Sequence, residues 1–317
     1  MALPGCERNL NVSMLERSRG IVAALVTPFT PTDEINHPSL RRLVGHSLGL
    51  GVGGFYVCGS TGEGFSLSSA ERMSIVETVV QAAHGNADVI VNLSHMDIRE
   101  VRRLSDHAAE AGADAVSVLP PIYNVVSSDE LLEYFRAVLR QSRLPLTLYN
   151  IPLLAHRALE ETMVRELAAE PTFVGIKHSC EDTLTLLRFK QVADGRLIVW
   201  SGRDAYYLGS LAMGADGGIG GSFQLLGDVF VAITKAFRSG DLARALALQQ
   251  RVNAVHAMLH VHAPLRSIKR CLTLLGIDSG ECRMPFQPLG ARADDFLRSA
   301  LGEADSVRHD FAIPLVH

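Results

Sequence analysis

From Gly20 onward the chain is punctuated by eight short apolar runs: IVAALV (21–26), GGFYV (53–57), DVIVNL (88–93), DAVSVL (114–119), PLTLYN (145–150), FVGIK (173–177), RLIVW (196–200) and DGGIG (216–220). Their apolar positions are continuous rather than alternating, the pattern of strands covered on both faces in a parallel sheet. The intervening segments space their apolar residues at a helical period, as in SLRRLVGHSLGLG from Ser39 and DIREVRRLSDHAAEAGA from Asp97. The second of these opens on an aspartate in N-cap position and closes at Gly112. Eight strand-then-helix units within about 220 residues predict an α/β fold, a (β/α)8 barrel, with a doubly wound open sheet as the alternative. Beyond the eighth run the segments FQLLGDVFVAITKAFRSG, DLARALALQQRVNAVHAMLHVH and PLRSIKRCLTLLG are helical, and no further strand is predicted. The expected organisation is an N-terminal extension (1–19), a catalytic barrel (20–224) and a C-terminal helical region packed on it (225–317).

Composition narrows the function classes. The 317 residues are 47% hydrophobic and 20% charged, enough apolar material for a large core. A net charge of -4 without basic runs gives no reason to expect nucleic acid. The first twenty residues lack an apolar signal-type segment, and no run reaches the ~18 apolar residues of a membrane span, so a cytoplasmic protein without membrane contact is expected. Five scattered cysteines contain no CxxC pair, which argues for reduced thiols rather than a disulfide framework or zinc site.

In a barrel of this type the reacting groups sit where strands end, so polar side chains just past an apolar run are the candidates. The chain has four lysines. Lys190, Lys235 and Lys269 fall in helical segments beside basic neighbours and are expected to be solvated. Lys177 instead closes the run FVGIK. An ammonium in a low-dielectric barrel mouth loses solvation, which favours the neutral amine, a nucleophile able to form a Schiff base with a ketone. A packed stem with its head in water is the plain structural alternative. Tyr149 ends the preceding strand and could relay protons, or simply hydrogen-bond at the rim. GSTGEG (59–64) surrounds Ser60 and Thr61 with Gly59, Gly62 and Gly64, so that N–H groups and hydroxyls can face a small carboxylate, or form no more than a tight capped turn.

Together and in this order, these stretches resemble the dihydrodipicolinate synthase/N-acetylneuraminate lyase family of class I, pyruvate-handling barrel enzymes. The likeness runs from about Gly20 to Leu289 and includes AALVTPF, GSTGEGFSLSSAER, YNIP, GIK, GADGGIGGSF and RMPFQPL. It implies Lys177 as Schiff-base lysine, Tyr149 as proton donor and acceptor, and Ser60 with Thr61 as binders of the 2-oxo acid carboxylate. Tyr123, in PPIYN, matches the residue by which a neighbouring subunit completes the relay, which implies a homotetramer built from dimers. Ser179, Gly202, Asp204, Gly220 and Gly221 fall at substrate-binding positions. Pyruvate and an aldehyde are the implied partners, and no cofactor or metal is required.

Departures from the family pattern bear on substrate. Members that use aspartate semialdehyde carry an arginine five residues after the strand-five tyrosine; here that position is Leu154, with Arg157 out of register. Sialic acid lyases place an Asp-Glu pair after strand seven to bind a polyol, but here Asp204 is followed by Ala205, and Gly221 stands where they have serine. A lyase similar to the sialic acid branch with altered specificity is expected. Alternatives are a dehydratase or deaminase of hydroxylated 2-oxo acids, a dihydrodipicolinate synthase, and a non-catalytic 2-oxo acid sensor.

Other features are read more plainly. Arg203 could hold an acidic substrate group but is expected to face solvent. His256 and His260 have metal-like i, i+4 spacing but lack a glutamate between them and fall in the appended helices. His178 should point behind the barrel. GADGGIGGSF could bind phosphate, as loops seven and eight of barrels often do, but in this family it lines the substrate pocket.

Overall fold

The computed structural model describes residues 15–192, 194–290 and 292–314. Most of the predicted extension at 1–19, with Cys6, lies outside them. Eight parallel strands close into one barrel in sequence order: β1 (Ile21–Ala24), β2 (Gly54–Val57), β3 (Asp88–Asn92), β4 (Ala115–Val118), β5 (Leu146–Asn150), β6 (Phe173–His178), β7 (Ile198–Ser201) and β8 (Gly217–Gly220). The ring closes where Val22 of β1 pairs with Ile219 of β8. Each predicted strand run coincides with one of these strands to within two residues at either end, β6 and β7 running one residue further, to His178 and Ser201.

The crossover helices are α1 (His37–Gly49), α2 (Ser69–Ala83), α3 (Ile98–Ala111), α4 (Ser128–Gln141), α5 (Pro152–Ala155), α6 (Glu161–Leu167), α7 (Thr183–Val192) and α8 (Tyr207–Ala212), followed by α9 (Phe223–Arg238), α10 (Leu242–His260), α11 (Pro264–Leu274) and α12 (Arg292–Asp310). Helix α3 starts and stops where the sequence places it: Asp97 accepts a hydrogen bond from the Arg99 N–H, and Gly112 takes the left-handed C-cap. Helix α9 packs on β1 and α1 and so completes the outer ring. The appended helices proper are α10, α11 and α12.

Period-two alternation divides each strand between two cores. Ala23, Phe55, Val57, Val89, Val91, Leu148, Ile176 and Val199 face the helices, whereas Val22, Ala24, Tyr56, Ile90, Tyr149, Trp200 and Ile219 fill the barrel interior. Each fully buried aliphatic or aromatic side chain contributes roughly 1.5–3 kcal/mol. Leu15 joins the interior cluster, and the buried Trp200 indole donates to the Ser18 carbonyl at 2.6 Å, tying the entering chain to the barrel interior. The strands' C-terminal ends carry the accessible chemistry.

Candidate active site

Lys177 is next to Ile176, which faces the helices, so it points into the barrel, where it is 4% exposed. It pairs in register with Tyr149 across β5 and β6. Its Nζ lies 4.2 Å from the centroid of the Tyr149 ring and 4.3 Å from that of Tyr56. Lys269 pairs with Glu63 at 3.0 Å, but Lys177 has no carboxylate partner among the described residues. The amine is thus packed against two aromatic rings at the C-terminal end of its strand.

Tyr56 has no counterpart among the residues singled out from sequence, because it sits inside an apolar run. Its ring stands edge-on to Tyr149, with centroids 5.8 Å apart. Its hydroxyl donates to Ser117 Oγ at 3.0 Å and accepts from Asn92 Nδ2 at 2.9 Å. Burial pushes the phenol well above its ordinary pKa, so Tyr56 stays neutral and offers Lys177 a π face rather than a charge. The strand alternation that placed Lys177 inside would also have found it.

The turn after β2 closes on itself through its backbone. The N–H groups of Gly62 and Gly64 donate to the Gly59 carbonyl and that of Glu63 to Ser60. The N–H groups and hydroxyls of Ser60 and Thr61 have no hydrogen-bond partner among the described residues and open onto the cavity. The left-handed backbone in and before this turn falls at Cys58 (φ 56°) and Glu63 (φ 55°) rather than at its glycines. Gly64 is required for close approach, since a Cβ there would collide with the Cys58 carbonyl.

Glu63 and Lys269 hold this turn in place. Both side chains are 1% exposed; Lys269 Nζ donates to Glu63 Oε1 at 3.0 Å and to the Glu281 carbonyl at 2.7 Å, while the Arg283 N–H donates to Glu63 Oε2 at 2.8 Å. Lys269 is therefore not the solvated lysine expected, and burial lowers its pKa against the opposing pull of Glu63. Lys190 is also partly buried, bonded to Asp216 at 2.8 Å; Lys235 is exposed as expected. Helical context alone does not show that α11 docks on the turn after β2.

A cavity of about 600 Å³ opens at the mouth and is lined by Ser60, Thr61, Tyr149, Ser179, Gly202, Asp204 and Gly221 among others. Gly220 sits just behind its wall, where a Cβ would strike the Asp204 carboxylate and the Phe223 ring. Asp204 Oδ2 accepts from the Ser222 N–H at 2.9 Å and from its hydroxyl at 2.5 Å. Tyr123 does not reach this cavity within the chain and is 83% exposed. Arg157 is committed elsewhere, to Ser128, Glu160 and the Val126 carbonyl. Arg203 lines the cavity rather than simply facing solvent: one amine pairs with Glu181 at 3.2 Å, and its Nε is buried without a partner. His256 and His260 belong to an appended helix, yet α10 reaches over the mouth and places both at the cavity, rings 4.0 Å apart. No cluster of three or more metal-ligating side chains occurs among the described residues. His178 packs behind the barrel, edge-on to Phe189, as expected.

A closed eight-stranded barrel with a buried lysine and tyrosine at its mouth has the architecture of class I carbon–carbon lyases. Residues 17–304 match the Dihydrodipicolinate synthetase family. The chain is 34% identical over 278 residues to N-acetylneuraminate lyase of Salmonella typhimurium, covering 87% of this chain and 93% of that one, and equally to that of Salmonella newport. In fold it is similar to wild-type Ruminococcus gnavus sialic acid aldolase, with a TM-score of 0.90 at 24% identity over 93% of this chain and 99% of that one. It is also similar to YagE, an E. coli K12 prophage protein of the dihydrodipicolinic acid synthase family solved with pyruvate, with a TM-score of 0.85 at 29% identity over 90% and 98% of the two chains. The chain belongs to the dihydrodipicolinate synthetase family and is a class I pyruvate-dependent lyase. No helix among the described residues is long and apolar enough to cross a membrane.

Proposed function

We propose that Lys177 forms an imine with the C2 carbonyl of a 2-oxo acid whose carboxylate is held by the free N–H groups and hydroxyls of Ser60 and Thr61. The protonated imine is the electron sink. When the C3–C4 bond breaks, its electron pair enters the enamine, Tyr149 takes the C4 hydroxyl proton and an aldehyde leaves. Protonation at C3 and hydrolysis then release pyruvate and the lysine; bond formation is the reverse. Tyr123, from a neighbouring subunit of a homotetramer, extends the proton relay. Its exposure, beside an equally bare Val125, supports that part of the reading.

The observation that carries the proposal is the Lys177 amine at 4.2 Å from the ring of Tyr149, unpaired with any described carboxylate, Tyr149 lining the same cavity as Ser60 and Thr61. Leu154 and the committed Arg157 leave no arginine in register for a second carboxylate, which speaks against aspartate semialdehyde. Borohydride added with pyruvate, followed by intact mass and peptide mapping, should attach one reduced pyruvate at Lys177. Absence of the adduct, or its appearance on another lysine, would refute the assignment. Product analysis separates cleavage from dehydration or deamination, which yield no pyruvate.

A further inference from the structure

Much of the lining of the cavity at the barrel mouth is apolar. Leu153 and Leu154 after β5, Leu259 of α10, Leu265 and Ile268 of α11, and Phe286 form an apolar wall. Several of the polar groups that share the lining are already committed. Asp204 spends Oδ2 on Ser222, whose hydroxyl is thereby used as well. Ser179 Oγ donates to the Gly202 carbonyl at 3.3 Å. Ala205 and Gly221, both on the cavity surface, offer no polar side chain. What remains includes Asp204 Oδ1 and the second Glu181 oxygen as acceptors, the Tyr206 hydroxyl, and the rings of His256 and His260, 4.0 Å apart and tilted 39° to one another.

We infer that the aldehyde released or captured here is bulky and apolar, aromatic or branched, with no more than one or two polar substituents, and is not a polyol. This rests on the imine reading above and goes beyond it by naming the class of the second substrate. A polyol chain would press several hydroxyls against leucine and isoleucine, where each forfeits its hydrogen bonds to water without replacement. A ring or branched chain instead displaces water from that wall, and about 600 Å³ holds it together with the pyruvyl portion. Asp204 Oδ1 and the Tyr206 hydroxyl each satisfy one substituent and fix its orientation. The chemistry balances without another reagent: the C3–C4 pair passes to the enamine, the C4 hydroxyl loses its proton, and the aldehyde departs.

The test measures kcat/KM for pyruvate release from 4-hydroxy-2-oxo acids carrying phenyl or isopropyl at C4, against a six-carbon 3-deoxy-2-oxo sugar acid and N-acetylneuraminate. The apolar adducts should be favoured by about tenfold or more. Ala205→Glu, which restores an acceptor, and Ile268→Asn, which breaks the wall, should each narrow that ratio by about tenfold while folded by circular dichroism. Preference for either sugar acid, turnover of no adduct, or an unchanged ratio in both folded variants overturns the inference. Borohydride trapping of pyruvate is run in parallel. Trapping at Lys177 with polyol preference sinks the apolar aldehyde alone, whereas no trapping sinks the imine and this inference together.

Discussion

At the scale of the residue, two side chains divide the chemistry and should fail differently. On the imine proposal Lys177 supplies the bond-forming nitrogen, so Lys177→Ala should lose all pyruvate trapping while keeping the wild-type circular dichroism spectrum. Tyr149 has its ring against that amine, and its hydroxyl is the assigned proton carrier. Tyr149→Phe keeps the ring and removes the hydroxyl, so it should still trap pyruvate but turn over about 10²–10⁴-fold more slowly, the usual worth of a general acid–base. Wild-type kcat in that variant would remove Tyr149 from the relay. Lysine type and strand-end position made Lys177 legible from sequence, whereas Tyr56, its other packing partner, carries no sequence mark beyond being an alternate residue of an apolar strand.

Among elements, the tie between the turn after β2 and α11 matters most to the site. Glu63 and Lys269 lie 206 positions apart in sequence and meet in a fully buried ion pair in the turn that carries Ser60 and Thr61. Taking one partner away leaves a desolvated charge, whereas replacing both removes the problem. Glu63→Gln should therefore cost about 3–5 kcal/mol in urea unfolding. A Glu63→Gln/Lys269→Met double variant should recover a substantial part of that loss; equal losses in single and double variants would mean the pair is not coupled. Because Glu63 adjoins Ser60 and Thr61 in the turn, the single change should also raise KM for the 2-oxo acid. Helical periodicity described α11 correctly as a helix but left open which face docks, so Lys269 read as a surface lysine.

For the whole molecule, acid should be the more damaging direction of pH. His46 and His178 are held below the ordinary histidine pKa chiefly by burial. The unfolded chain then binds protons that the fold refuses, so their contribution to stability is fully present above about 6.5 and is lost as pH falls below it. Glu71, hydrogen-bonded by Arg283 and by the Ser68 N-cap, is held down to about 2. Its contribution is present above about 4.3 and disappears as pH falls toward 2. Thermal melts between pH 8 and pH 3 should show a midpoint that declines first below about 6.5 and more steeply below about 4.3; a flat midpoint across that range would contradict these burials. Assembly is tested separately: if Tyr123 projects into a neighbouring site, Tyr123→Ala should lower kcat, and mixing it with subunits of Lys177→Ala should restore partial activity.

The sequence by itself determined the strand count, their parallel order and the strand ends bearing Lys177 and Tyr149, because continuous apolar runs, helical spacing and caps are local properties of neighbouring residues. It also marked the turn after β2, since hydroxyls flanked by glycine are read from one short segment. Tertiary structure alone decided what surrounds them: Tyr56 beneath the lysine, left-handed backbone at Cys58 and Glu63, and α10 and α11 closing over the mouth with His256, His260 and Ile268. Those depend on contacts between segments far apart in the chain, where the orientation of a docked helix is set by complementary shape and shared burial rather than by any pattern along its own sequence.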